Sequence, residues 1–144
     1  MVIAADTSFL FSLYGNDVHT PPAVTWCTQH NHVIAISPLN RFELINALRF
    51  AECRKSLQPG EAALHQQLFH HAIHDGRLVE IVCNLALVLA EATRLSATHT
   101  LTGGHRGFDI LHVAAARIIG ATHFLTFDVN QKRLAKAAGL KLPI

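Results

Sequence analysis

Apolar residues along this chain fall into two patterns: short unbroken runs, and longer stretches where they recur every three or four positions. An unbroken run of four to six bounded by turn formers reads as a strand buried on both faces, whereas the wider spacing reads as one face of a helix. The strands predicted on this basis are residues 2–5 (VIAA), 33–36 (VIAI), 78–82 (LVEIV) and 121–126 (ATHFLT). Helices are predicted between and after them. Residues 8–14 end at Gly15-Asn16, and residues 21–29 open on Pro21-Pro22. A long helix starts at Pro38 with Ser37 as its cap, carries Leu39, Phe42, Ile45 and Leu48 on its apolar stripe, and fades near Arg54-Lys55.

Gln58-Pro59-Gly60 is a turn into a helix over 61–75 that Gly76 stops, and a further amphipathic helix covers 85–99. Thr102-Gly103-Gly104 reads as a flexible connection into a helix over 108–119, closed by Gly120. A last helix over 131–138 is capped by Gly139, and Leu140-Lys141-Leu142 is an edge strand that Pro143 confines to the edge. Strands alternating with helices predict an α/β domain with a parallel sheet and right-handed crossovers. No linker, repeat or low-complexity tract divides it, so residues 1–144 are expected to form one domain.

Composition agrees. Half the residues are hydrophobic and 15% are charged, which excludes a disordered chain. A chain of this length buries roughly 70% of its unfolded surface without staples. Cys27, Cys53 and Cys83 are odd in number and form no CxxC pair, so they are expected to be buried, reduced thiols. The longest greasy run, residues 85–90, is far too short for a bilayer, and no signal peptide is visible; the expectation is a cytoplasmic protein with no membrane partner.

The first strand ends in Asp6-Thr7-Ser8. In open α/β sheets ligands collect beyond the carboxyl ends of the strands, and a carboxylate buried there needs a cation, a proton or a donor. Asp128 follows the fourth strand, so it belongs on the same edge. Asp109 lies in the first turn of a helix whose N-terminus faces that edge, and Glu43 stands on the helix that opens after the second strand. Each acid alone also suits a cap, a turn or an exposed helix face. Four in one cleft would repel one another unless protonated or bound to metal, and all-oxygen ligation suits Mg²⁺ or Mn²⁺. With those four acids set aside, twelve basic residues face six acidic ones, a balance that fits an acidic pocket in a basic, phosphate-seeking surface.

These pieces together resemble a PIN-domain ribonuclease, most closely the VapC-type toxins of bacterial and archaeal toxin–antitoxin pairs. The matching residues are Ala5-Asp6-Thr7-Ser8, Ser37-Pro38 leading to Phe42-Glu43-Leu44, the run from Arg106 to Ala114 (RGFDILHVA), and Leu125-Thr126-Phe127-Asp128. The resemblance implies a three-layer α/β/α sandwich with a central, mostly parallel sheet. It also implies an endoribonuclease that hydrolyses RNA by metal-activated water, leaving a 5′-phosphate and a 3′-hydroxyl. Asp6, Glu43, Asp109 and Asp128 match the family's catalytic, metal-binding acids. Ser8 and Thr126 match hydroxyl positions beside the metal, and Arg106 matches a phosphate contact. Asn130 falls where some relatives carry another acid, which leaves the number of Mg²⁺ or Mn²⁺ ions open. The implied partners are RNA, a small antitoxin and a second copy of the chain.

Other features are weaker. His112, one turn after Asp109, is expected to pack or hydrogen-bond rather than act as a base. Eleven histidines include His70 and His74 at i, i+4 without the glutamate of an HExxH motif, and Cys27 near His30 and His32. A native zinc site is not expected from either group. Phe50, Phe69 and Leu57 are candidates for a partner surface on the third and fourth helices, with core packing as the other reading. A haloacid-dehalogenase-type phosphatase needs a second Asp where Ser8 stands, and a receiver domain lacks its later lysine. A non-catalytic PIN-like module binding RNA or protein is the remaining alternative, although clustered negative charge does not help bind RNA.

Overall fold

The computed structural model describes residues 1–144. Four short strands, β1 (Ile3–Ala5), β2 (Ile34–Ile36), β3 (Leu78–Glu80) and β4 (His123–Leu125), form one parallel sheet in the order β3-β2-β1-β4. Six helices connect them and a seventh follows β4: α1 (Thr7–Tyr14), α2 (Thr20–His30), α3 (Pro38–Cys53), α4 (Glu61–His74), α5 (Leu85–Gly103), α6 (Gly107–Ile118) and α7 (Val129–Ala137). β1 is the centre, with Ala4 opposite Ala35 on one side and Phe124 on the other. The chain therefore winds outward from β1 through β2 to β3 and returns to place β4 on β1's free side. That reversal creates a switch point beyond the ends of β1 and β4.

Alternation along the strands sorts the core into two layers. Ile3, Ala5, Ile34, Ile36 and Leu125 face Phe9, Leu10, Trp26, Leu44, Leu48 and Phe69 from α1 to α4. Ala4 and Phe124 face Val88, Leu95, Ile110, Val113 and Leu134 from α5 to α7. Both faces of the sheet are thus covered, which is why the strands read as unbroken apolar runs. No helix is long and apolar enough to cross a membrane.

Several expectations change. The buried stripe of α3 is Asn40, Leu44 and Leu48, while Phe42 is 63% exposed. The cause is a capping box: the Asn40 carboxamide oxygen accepts from the Ser37 backbone N–H (2.8 Å) and hydroxyl (3.0 Å), which turns this polar residue inward. Phe69 and Leu57 are buried, so of the three candidate partner residues only Phe50 is exposed, with the Arg54 guanidinium 5.3 Å from its ring. The cysteines are free, but Cys53 is exposed and Cys27 and Cys83 are half-buried, because each lies at a helix margin or loop. α5 runs on through Gly103 and closes at Gly104 in the left-handed region (φ 65°), where a flexible link was expected. A Cβ on Gly103 would stand 2.2 Å from the His105 imidazole, so any larger residue there would have to displace that buried ring. The expected edge strand is a single bridge between His123 and Lys141.

Candidate active site

The switch point holds a cleft of about 350 Å³ whose walls include Asp6, Glu43, Asp109 and Asp128. Each acid arrives by a different route. Asp6 ends β1 and caps α1: its Oδ1 accepts from the Phe9 backbone N–H at 2.8 Å. Its remaining capacity is met by the Ser8 hydroxyl, 2.8 Å from both oxygens, and by the Thr126 hydroxyl, 2.6 Å from Oδ2. Asp128 caps α7 through Oδ1, which accepts from Gln131 N–H at 2.7 Å, and its own N–H donates to Thr126 Oγ1 at 3.0 Å. The two strand-end acids are thereby joined through Thr126. Asp109 sits in the first turn of α6, and Gln131 Nε2 holds its backbone carbonyl at 3.2 Å.

Electrostatics separate the acids. Asp6 is 1% exposed, and burial pushes its carboxyl up to about 6 despite the bonds from Thr126, Phe9 and Ser8. Asp109 is also raised, first by burial and then by the charge of Asp128; Arg106, at the N-cap of α6, offsets part of this. Glu43 is lowered: burial alone would raise it, but hydrogen bonds from His112 and Thr7 outweigh that.

His112 belongs to a relay that the sequence did not expose. Asn40 spends its oxygen on Ser37, so its NH₂ group faces both the Ala5 carbonyl (3.0 Å) and His112 Nδ1 (3.3 Å). Nδ1 must then accept, which puts the proton on Nε2, where His112 donates to Glu43 Oε2. Thr7 Oγ1 lies 3.2 Å from the same nitrogen. His112 is therefore a buried donor that orients Glu43, in keeping with the structural role expected of it. Asp17 and His19 line the cleft, and Asn40 stands behind it on His112; the sequence patterns singled out none of the three.

No three His, Cys, Asp or Glu side chains close round a single point as a ready-made metal cage. Asp6 and Asp128 oxygens serve first as caps, and Glu43 Oε2 serves His112. The oxygens left open are those of Asp109, Asp128 Oδ2 and Glu43 Oε1, an all-oxygen set at one cleft in which burial first, and then the charge of Asp128, raises Asp109. Hard oxygen donors of this kind suit a divalent cation. Asn130 does not touch the acids; its NH₂ reaches the Gly104 carbonyl (3.3 Å), and its oxygen accepts from Arg133 (2.7 Å). His70 and His74 lie on α4 with no third ligand gathered beside them.

A parallel three-layer fold with carboxylates at the switch point between two adjacent strand ends defines an architecture in which the site is made by the topology. Residues 3–137 match the PIN domain family, and the chain belongs to that family. Among solved structures it is similar to VapC20 of Mycobacterium tuberculosis, described as a sarcin–ricin-loop-cleaving toxin, with 19% identity, 96% of this chain and 95% of that chain covered, and a TM-score of 0.68. It is also similar to VapBC2 of Rickettsia felis bound to a DNA fragment from its promoter (20% identity, 99% and 97% covered, TM-score 0.68). FitAcB of Neisseria gonorrhoeae gives 16% identity, 98% and 96% coverage and a TM-score of 0.63. Identity at this level speaks to fold. A comparison with curated protein sequences gave no match.

Proposed function

We propose that the chain is a Mg²⁺- or Mn²⁺-dependent endoribonuclease, the toxin of a type II toxin–antitoxin pair, acting in the cytoplasm as a homodimer with a cognate antitoxin. The observation that carries the reading is the delivery of Asp6, Glu43, Asp109 and Asp128, from four separate elements, to one cleft at the switch point. Membership of a family of nucleases that use divalent ions supports it, as does the likeness in fold to toxins such as VapC20.

Asp109, Asp128 and Glu43 would hold the ion through their open oxygens, with Asp6 behind them. When bound, the ion supplies the polarisation of water and of phosphate oxygens that phosphodiester hydrolysis requires. The chain's own groups set the stage. Ser8 and Thr126 orient the Asp6 carboxylate, and Asn40 through His112 fixes Glu43. Arg106 stands beside Asp109, where it tempers the charge met by an incoming phosphate. No side-chain nucleophile is needed, and hydrolysis leaves a 5′-phosphate and a 3′-hydroxyl.

The test is cleavage of unstructured RNA with Mg²⁺, with EDTA, and with Asp6→Asn. Cleavage that needs the metal and is lost in the variant is expected. Equal cleavage by both chains would remove the catalytic assignment.

A further inference from the structure

Beside the acid cleft lies a second one of about 540 Å³ that shares Ser8, His19, Phe127 and Asp128 with it and adds Asn130 and Arg133. One wall is an aromatic column. Phe9, wholly buried, stacks on Phe127 (centroids 5.7 Å apart, planes at 22°), and Phe127 stacks on His19 (4.6 Å, 7°). The column is anchored in the core by an edge contact of Phe9 on Trp26 and ends in an exposed imidazole.

His19 is held there by design of the loop. It occupies the N-cap of α2, yet its side chain makes no capping bond. The Asp17 carboxylate instead accepts from the His19 backbone N–H (2.8 Å) and, through its other oxygen, from Ser12 on α1 (2.9 Å). A position that usually favours Ser, Thr, Asp or Asn is thus given to a ring that caps a stack. Arg133, which also lines the cleft, is exposed and spends Nη2 on Asn130, which leaves Nε and Nη1 free.

We infer that this cleft binds the nucleotide adjoining the scissile phosphate: an unpaired base stacks on His19 and a phosphodiester oxygen meets Arg133. A flat π face paired with a cation along a groove is the chemistry that holds single-stranded nucleic acid, and stacking is indifferent to base identity. The shared wall at Asp128 makes the groove continuous with the acids, so a strand lying in it passes the proposed reaction centre. The inference rests on the ribonuclease reading and adds where the substrate lies.

The experiment is equilibrium binding of a labelled short oligoadenylate to the full chain in EDTA, where the strand stays intact, with melting curves confirming that each variant is folded. His19→Ala is expected to weaken binding by about 5- to 150-fold, the range for losing one stacked base. His19→Phe, which keeps the ring, should stay within about 3-fold of wild type if stacking is the interaction. Arg133→Ala should weaken binding and reduce the slope of log affinity against log salt by about 0.7, the contribution of one phosphate on a single strand. Unchanged affinity in His19→Ala overturns the subsite. A loss in His19→Phe equal to that in His19→Ala overturns stacking. Wild type that binds as predicted but never cleaves with Mg²⁺ leaves the subsite standing and defeats the nuclease reading.

Discussion

Replacing Asp6 by Asn should stabilise the metal-free chain at neutral pH while abolishing RNA cleavage. The Asp6 carboxyl is buried and raised from the ordinary 3.8 to about 6. Between those values the folded chain holds a proton that the unfolded chain releases. The cost of ionising Asp6 is therefore absent below pH 4, grows as pH rises, and is complete above pH 6. A shift of this size corresponds to about 3 kcal/mol. Asparagine keeps an oxygen for the Phe9 N–H and the Ser8 hydroxyl and carries no charge, but its NH₂ replaces Oδ2 and cannot accept from Thr126, whose hydroxyl must turn to accept instead. Allowing about 1 to 2 kcal/mol for that loss leaves a net gain of about 1 to 2 kcal/mol at pH 7. For a domain of this size the gain raises Tm by about 3 to 7 °C. The assay is thermal unfolding of both chains in EDTA from pH 4 to pH 8. The difference should be largest above pH 6 and should shrink or reverse near pH 4. A variant less stable than wild type by a constant amount across this range would refute the argument that Asp6 is a burdened carboxylate awaiting a cation.

Two further outcomes follow from the same geometry. His112→Ala removes the donor to Glu43 and empties a buried site, so stability should fall by about 2 to 4 kcal/mol in chemical unfolding. Cleavage in that variant should fall through kcat more than through KM, and His112→Gln, which can still donate, should recover part of it; no recovery would show that the ring only fills space. Gly103→Ala pushes a methyl into the His105 ring, so Tm should drop by the equivalent of about 1 to 3 kcal/mol, and an unchanged Tm would mean that the α5–α6 corner yields freely.

The legible parts of this molecule are those that local chemistry decides. β1, β2 and β4 were visible because strands covered on both faces are apolar throughout, and Asp6 and Asp128 were placed on one rim because both follow such strands. Phe42 was misjudged because the apolar stripe of α3 takes no account of Asn40, a polar residue buried by its cap to Ser37 and its bonds to Ala5 and His112. The Asn40–His112 contact joins residues 72 positions apart, and the meeting of His19 with Phe127 depends on how the loop before α2 folds back on β4. Neither has a spacing that periodicity can register. Phe69 and Leu57 needed the packing of α3 on α4 before they could be assigned to the core.

The central claim, that four carboxylates from distant parts of the chain serve a hard divalent metal, is met most directly by crystals soaked in Mn²⁺ and measured at its absorption edge. The account predicts an anomalous peak in the cleft at the ends of β1 and β4, within bonding distance of Asp109, Asp128 or Glu43 and reaching Asp6 directly or through one water. A saturated soak with no peak in that cleft, or with the ion held only at a surface pair such as His70 and His74, would contradict it.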